Sequence, residues 1–234
     1  MTKAGRTPVT HGVIAVDGVS VEFDGRSVLE DVTLELSAPT IAVIGANGSG
    51  KSTFVRLLNG LVTPSRGHVS VHGIDPQRDR ADLRRRVGFV FTNPDAQILM
   101  PTPAEDLALS VRGRPKAEAD ALVRAALDAH GLARHADVPA SSLSGGQKQM
   151  LALASVLITE PELIVADEPT TLLDLRNARR IGDLLLAQPS QVVVVTHDLE
   201  LAARCEAVVL FEEGRVSTVG EPATVIEAYR RACA

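Results

Sequence analysis

The chain has few aromatic residues and no excess of basic charge. Of its 234 residues, 3% are aromatic, with one Tyr and no Trp, and the formal net charge is -5. Proteins that bind nucleic acid usually carry a basic surface and aromatic side chains on which bases stack. The composition therefore argues against a nucleic-acid partner. Net acidity also disfavours direct adhesion to an anionic lipid surface, so a role at a membrane would require a protein partner.

Cysteines and long apolar stretches are scarce as well. Cys205 and Cys233 provide neither a disulfide framework nor the spacing of metal ligands, which indicates reduced thiols in a reducing compartment. The stretch from Met150 to Ile158, with its one serine, is far shorter than the roughly 20 residues of a membrane-spanning helix. No apolar run follows the positive charges near the N-terminus, so no signal peptide is predicted. We therefore expect a protein of the cytoplasm.

The chain does contain strand-like and helical patterns that alternate. Strands are predicted at residues 13–23, 32–36, 41–44, 68–71, 87–91, 163–166, 192–195 and 208–211. Helical patterns cover 54–58, 101–137 and 222–232, and a turn is predicted at 24–26 and a loose tail at 1–11. Strands that alternate with helices predict an α/β fold with a mainly parallel sheet covered on both faces.

A glycine-rich segment between a buried strand and a helix start is the first sign of chemistry. It fits the pattern G-x-x-x-x-G-K-[ST], and its flanking strand and helix disfavour the alternative of a chance glycine-rich turn. Glycines let successive N–H groups point at phosphates. Lys51 is predicted to reach the β- and γ-phosphates of a nucleotide, and the Ser52 hydroxyl to bind Mg²⁺. The predicted nucleotide-binding residues are Gly45, Ala46, Asn47, Gly48, Ser49, Gly50, Lys51, Ser52 and Thr53.

Two adjacent carboxylates after an apolar strand supply the second half of such a site. Asp167 can orient a hydrated Mg²⁺, and Glu168 is placed to polarise an attacking water as general base. By itself such a pair could be a solvated turn. Together with the glycine-rich segment it predicts a nucleoside triphosphatase, although many kinases and switch proteins share both segments.

A third segment reduces the number of nucleoside triphosphatase families that fit the chain. It is a polar, glycine-rich helix start that can approach a triphosphate through backbone N–H groups and a serine hydroxyl. Its residues are Leu143, Ser144, Gly145, Gly146 and Gln147. Here the chain resembles the ATP-binding cassette (ABC) ATPases, whose signature is LSGGQ. The resemblance implies a P-loop NTPase fold with a RecA-like core, an antiparallel β subdomain and a small α-helical subdomain. The single domain would span 12–231, with the core at 12–92 and 160–231 and the helical subdomain at 93–159.

The resemblance also implies roles for individual residues. Phe23 lies where the family places an aromatic that stacks on adenine; the alternative is a core residue of its strand. Lys51, Glu168 and His197 match the catalytic residues, the last as the switch histidine that contacts the γ-phosphate. By itself His197 could be an ordinary strand end. The D-loop, which crosses to a partner subunit, is matched by Leu172, Leu173 and Asp174.

Members of this family work as dimers that sandwich ATP. The signature residues Ser144, Gly146 and Gln147 would therefore act in trans, on the nucleotide held by the partner cassette. ATP then joins the two cassettes and hydrolysis releases them, which can drive a step in an attached membrane subunit. The resemblance leaves open whether the dimer is a homodimer or a heterodimer.

The chain departs from the family after the strand 87–91. There the family places a glutamine that touches Mg²⁺ and the attacking water, whereas this chain has Thr92, whose side chain is about two bonds shorter. We hypothesise that Thr92 weakens the positioning of metal and water. Gln97 lies further on, and the stretch 93–97 resembles the NPDxQ segment of ATPases from energy-coupling factor importers. Residues 103–107 resemble the continuation of that segment.

This second resemblance implies membrane partners. In energy-coupling factor systems the loop and adjoining helix hold the coupling helices of a transmembrane subunit, which works with a substrate-binding membrane subunit. The chain would then lie at the cytoplasmic face of the membrane, in an importer for biotin or, next, for cobalt or nickel. The alternatives are another type of ABC transporter, a soluble ABC ATPase of DNA repair or ribosomes, and a non-catalytic regulatory cassette.

Overall fold

The computed structural model describes residues 11–233, so residues 1–10 of the predicted tail lie outside the described part of the chain. The strands are β1 Ile14–Phe23, β2 Arg26–Leu36, β3 Thr40–Gly45, β4 Arg66–Val71, β5 Val87–Val90, β6 Leu163–Asp167, β7 Gln191–Val195, β8 Ala207–Glu212 and β9 Arg215–Gly220. The helices are α1 Lys51–Leu57, α2 Arg80–Arg86, α3 Pro103–Ser110, α4 Lys116–Ala129, α5 Gly145–Leu157, α6 Leu175–Leu186, α7 Leu199–Ala202 and α8 Pro222–Ala232. Short 3₁₀ turns lie at Pro94–Ala96, Ala133–His135 and Ala140–Ser142.

The strands form two sheets. A six-stranded sheet has the order β5-β6-β7-β3-β8-β9, in which the first five strands are parallel and β9 is antiparallel to β8. A three-stranded antiparallel sheet has the order β2-β1-β4. The predicted α/β fold, with a mainly parallel sheet and an antiparallel β subdomain, is confirmed.

The parallel strands are apolar along their whole length because both faces of their sheet are covered. Side chains of a strand alternate between faces. Ile41 and Val43 of β3 pack with α1 and the antiparallel sheet, whereas Ala42 and Ile44 pack on the other face with α3 to α8. The six-stranded sheet therefore lies between two hydrophobic cores.

The helices of the segment 101–137 share the second of these cores. Helix α3 packs against α4 and α5. The buried Leu107 and Leu127 belong to the same apolar cluster as Ala166 and Val194 of the sheet. None of the helices within residues 11–233 combines the length and the apolar character that a bilayer span requires.

Two tight turns shape the antiparallel regions. Asp24 and Gly25 join β1 to β2, and Glu213 and Gly214 join β8 to β9; all four have positive φ angles between 48° and 79°. This is the pattern of the two-residue turn that matches the twist of a hairpin. The sequence analysis predicted the first turn but neither the second nor strand β9 behind it.

Other differences from the prediction concern the ends of elements. Strand β2 begins at Arg26, six residues before the predicted start, because it pairs with β1 immediately after the turn. Strand β5 ends at Val90 rather than at residue 91. Helix α2 was not predicted, since it has a single buried residue, Leu83, and is otherwise polar.

Gly88 of β5 marks a close approach between the sheet and helix α5. A Cβ atom at this position would lie 2.3 Å from Cγ1 of Val156 on α5 and 3.1 Å from Cγ of Pro161. Because a fully packed core resists added atoms, replacement of Gly88 forces these elements apart. The glycine therefore sets how close α5 lies to the strand that leads into residues 91–97.

We expect Gly88→Ala to lower the free energy of unfolding by about 1–3 kcal/mol, measured by urea denaturation. Gly220→Ala is the matched control, because the nearest atom to a Cβ there lies at 3.8 Å. The control should stay within about 0.5 kcal/mol of the parent protein. Equal midpoints and slopes for the two variants would contradict this account of Gly88.

Candidate nucleotide site

The glycine-rich segment forms a loop between β3 and α1 whose conformation requires glycine at several positions. The φ angles of Gly45, Gly48 and Gly50 are 144°, 79° and 98°. A Cβ on Gly45 would lie 2.2 Å from the backbone oxygen of Phe211 on the neighbouring strand β8. The positive φ angles give the loop the curled backbone of a phosphate-binding loop, and Gly45 lets it begin directly beside β8.

Lys51 turns back into this loop. Its side chain is 4% exposed, and Nζ donates to the backbone oxygens of Gly45 at 2.9 Å and Ala46 at 2.7 Å. Burial lowers the pKa of Lys51 below its usual value, while the charges of Glu168 and Asp167 act in the opposite direction. The ammonium group thus lies against the loop, within electrostatic reach of two carboxylates.

The Asp167 carboxylate is joined to the first turn and a half of α1. Its Oδ1 accepts a 2.8 Å hydrogen bond from Ser52 Oγ, and its Oδ2 lies 3.2 Å from Nη2 of Arg56. Asp167 is 1% exposed, so both partners hold it in a fixed orientation. A hydroxyl and a carboxylate side by side are oxygen donors of the kind that Mg²⁺ prefers. The donor set therefore fits this ion.

Glu168 follows directly and is held by three contacts. Its backbone N–H donates to the oxygen of Val195 at 3.0 Å, although its φ of 50° is unusual for a residue other than glycine. Thr171 Oγ1 donates to Oε2 at 2.9 Å, and His197 Nε2 lies 2.9 Å from Oε1. Unfavourable backbone conformations of this kind persist where surrounding contacts enforce them, often at functional sites.

His197 thus contacts the predicted base, and Phe23 is exposed rather than part of the core. His197 follows β7, Glu168 follows β6 and Lys51 follows β3. Because these strands are parallel, all three residues lie at the same edge of the sheet. Phe23, at the end of β1, is 48% exposed. Its ring is therefore available to a ligand, as the stacking interpretation requires.

The signature segment begins helix α5. Ser144 is the N-cap: its Oγ accepts from the backbone N–H of Gln147 at 3.3 Å, and Gln147 Oε1 accepts from the Ser144 N–H at 2.8 Å. This reciprocal pair is a capping box. Within residues 11–233 no hydrogen bond joins 143–147 to the phosphate loop 45–53. Hydrogen bonds within the described part of one chain therefore do not link these two predicted parts of the site.

The D-loop residues lie beside the signature segment. Asp174 caps helix α6 by accepting from the backbone and side chain of Asn177 at 2.9 and 2.8 Å, and these hydrogen bonds lower the pKa of Asp174. A Cβ on Gly146 would lie 2.7 Å from Asn177 Nδ2, so a larger residue would displace the Asn177 side chain. Leu172 is 71% exposed.

Thr92 and Gln97 serve different purposes in the structure. Thr92 Oγ1 donates to the backbone oxygen of Asp167 at 2.7 Å. Gln97 Oε1 accepts from the Phe91 N–H at 3.1 Å, and its Nε2 donates to the oxygen of Ala152 on α5 at 2.7 Å. The Gln97 amide is therefore engaged at both ends in holding its loop to α5, and it does not extend toward Asp167.

Sequence reasoning missed Arg56 and Thr171. Thr171 stands three residues after Glu168, a spacing at which a hydroxyl can reach back to a carboxylate, so a local signal existed. The contact of Arg56 with Asp167 crosses 111 positions of the chain and left no local signal.

Comparison with known proteins gives consistent results. A family model described as "ABC transporter" matches residues 29–171. The biotin transport ATP-binding protein BioM of Rhizobium etli is 42% identical over 223 residues, which cover 94% of this chain and 99% of BioM. The structure of CbiO1 from Clostridium perfringens, part of the ABC transporter complex CbiONQ, is similar with a TM-score of 0.82 at 31% identity, covering 92% of this chain and 90% of CbiO1.

A second solved structure is a dimeric ATP-binding cassette in a post-hydrolysis state, bound to ADP and Pi. It is similar with a TM-score of 0.78 at 29% identity, covering 89% of this chain and 98% of that chain. Together with the fold and the phosphate loop, these similarities show that the chain belongs to the ABC transporter family, as an ATP-binding, ATP-hydrolysing subunit that resembles the energy-coupling factor ATPases.

Proposed function

We propose that the chain is the ATPase of an energy-coupling factor importer and lies at the cytoplasmic face of the membrane. Its partners in this proposal are a second cassette, identical or different, a transmembrane coupling subunit and a substrate-binding membrane subunit. The name of the R. etli relative supports biotin as the cargo. Cobalt or nickel is the next candidate, on the resemblance to energy-coupling factor ATPases.

The observation that carries the proposal is a loop that contacts both the carboxylate strand β6 and the signature helix α5. This loop, residues 91–100, contacts the Asp167 backbone through Thr92 and helix α5 through Gln97. A third contact joins Asp95 Oδ1 to Lys148 Nζ at 2.7 Å, one residue beyond the signature. A subunit that pulls on this loop would therefore move the carboxylate strand and the signature helix together.

A groove suited to such a subunit lies beside the loop. It has a volume of about 360 Å³ and is lined by Asp95, Ile98, Leu99, Met100, Pro101, Ala140 and Ser141. The buried Asp106 shapes it by accepting from the N–H groups of Leu99 at 2.8 Å and Met100 at 3.1 Å. Leu99 is 72% exposed at its edge. An exposed apolar side chain on a braced backbone suits an amphipathic helix of a partner.

The catalytic step follows from the geometry of the site. Lys51 would contact the β- and γ-phosphates, and Ser52 and Asp167 would hold Mg²⁺, which neutralises phosphate charge when bound. Glu168 would take a proton from the attacking water, with Thr171 and His197 fixing the direction of its carboxylate. His197 would also contact the γ-phosphate, and Phe23 would stack on adenine.

The remaining contacts to ATP would come from the partner cassette. In this proposal residues 93–159 form the helical subdomain that presents Ser144, Gly146 and Gln147 to the partner's nucleotide. The catalytic core is formed by 12–92 and 160–231. The exposed D-loop residue Leu172 would lie in the same interface. The dimeric cassette bound to ADP and Pi supports this arrangement.

Purification of the tagged chain from its own membranes tests the proposal. Mass spectrometry should identify a transmembrane coupling protein and a small substrate-binding membrane protein. We expect Leu99→Asp to lower recovery of these partners about tenfold or more, because a charge is placed in the apolar groove. Val219→Asp, an exposed position of β9 at the opposite edge of the sheet, is the control. Equal recovery with both variants would argue against the groove as the docking surface.

Glu168→Gln should trap an ATP-bound dimer. The amide keeps the size of the side chain and can accept from Thr171, but it cannot take a proton. We expect turnover to fall about 100-fold or more, measured as phosphate release. Size-exclusion chromatography should show a dimer with ATP, and the added Lys51→Ala substitution should abolish it. Normal hydrolysis by the single variant would remove Glu168 from the role of base.

Paired substitutions at Thr92 test whether its short side chain limits turnover. Thr92→Gln should raise the ATPase rate of the isolated dimer about two- to fivefold, the effect of one added hydrogen bond in the transition state. Thr92→Val, which only removes the hydroxyl bonded to Asp167, should lower the rate by a similar factor. A glutamine variant that is no faster than the parent would contradict the hypothesis.

A further inference from the structure

A histidine outside the family motifs contacts the signature segment. His135 ends the 3₁₀ turn Ala133–His135, and its Nε2 lies 2.9 Å from Nε2 of Gln147. Both side chains are partly buried. The contact joins residues 12 positions apart, across the loop that precedes α5.

The direction of this hydrogen bond follows from its neighbours. Gln147 Oε1 accepts from the backbone N–H of Ser144, which can only donate, so the amide oxygen must face Ser144. The amide nitrogen therefore faces His135 and donates. His135 must accept through an unprotonated Nε2, which places the single ring hydrogen of the neutral imidazole on Nδ1.

The backbone that carries His135 is itself well anchored. Leu132, three residues before it, is buried, and its N–H donates to the oxygen of Leu127 in α4 at 2.7 Å. The next residue, Ala136, accepts through its backbone oxygen from the N–H of Ala104 in α3 at 2.9 Å. The turn that carries the imidazole is thus anchored to α3 and α4 by backbone hydrogen bonds.

We propose that His135 is a positioning residue that holds the Gln147 amide in the capping box and thereby orients the first turn of α5. The inference rests on the proposed function, in which Ser144 and Gln147 reach the ATP of the partner cassette. Without the histidine acceptor, the Gln147 amide can rotate away from Ser144. The N–H groups and the serine hydroxyl would then be presented to the partner's phosphates in a less uniform orientation.

The test uses the full chain with the Glu168→Gln background, in which dimers accumulate. His135→Leu removes the acceptor, and His135→Gln restores an oxygen acceptor at about the same reach. We expect His135→Leu to raise the ATP concentration for half-maximal dimerisation about five- to tenfold, the result of one lost hydrogen bond of ordinary strength. His135→Gln should stay within about twofold of the background protein.

Affinity for ADP separates positioning from damage to the fold. In the proposed mechanism ADP binds within one chain and lacks the γ-phosphate that joins the dimer, so its Kd, measured by calorimetry, should be the same for all variants. His68→Leu is the control, since this histidine on β4 is 61% exposed and lies outside the site.

Each result has a distinct meaning. Dimerisation of His135→Leu at the ATP concentration of the background protein would overturn the role of His135 and leave the proposed function intact. Weaker ADP binding, or equal defects for leucine and glutamine at this position, would show a structural role only and would also overturn it. Absence of an ATP-dependent dimer in the background protein itself would contradict the proposed function together with this inference.

Discussion

The parallel register of β3, β6 and β7 is the constraint on which the site depends. Val195, the last residue of β7, pairs with Asp167, the last residue of β6, and with Val43 of β3, so the three strands end within two residues of one another. The groups that follow them, Lys51, Glu168 and His197, are therefore delivered to one edge of the sheet. Open parallel sheets bind ligands at the carboxyl ends of their strands for this reason. Two apolar faces, each covered by a core, prevent the register from slipping.

A second constraint is that the buried carboxylate of Asp167 needs hydrogen-bond partners. Asp167 is almost inaccessible to water, yet Ser52 and Arg56 both contact its carboxylate, and Thr92 contacts its backbone. A buried carboxylate without such partners would be strongly destabilising. The same contacts tie the phosphate loop helix, the carboxylate strand and the loop 91–100 into one unit. In the proposed function, these short links would carry a movement of the groove to the ATP site.

In the proposed function, the signature helix acts on the nucleotide held by the partner cassette. Its first turn is fixed by a capping box, by Gly146 against Asn177 and by His135 against Gln147, and among residues 11–233 it makes no hydrogen bond to its own phosphate loop. These contacts would favour binding if a partner cassette supplies the phosphates. In that case rigidity of the first turn lowers the entropy lost when two cassettes close on ATP.

The sequence by itself determined the features that depend on neighbours along the chain. Apolar runs, the glycine pattern at 45–53, the carboxylate pair after β6 and the serine before α5 each act over a few residues, so they could be predicted with their chemistry. Tertiary structure alone decided which distant groups meet, as when Thr92 contacts Asp167, Asp95 contacts Lys148 and the Gln97 amide contacts α5. Helix α2 and strand β9 were missed because little of their surface is buried, and periodicity reports only buried faces. Contacts across many positions depend on how whole elements pack, and no local pattern records that packing.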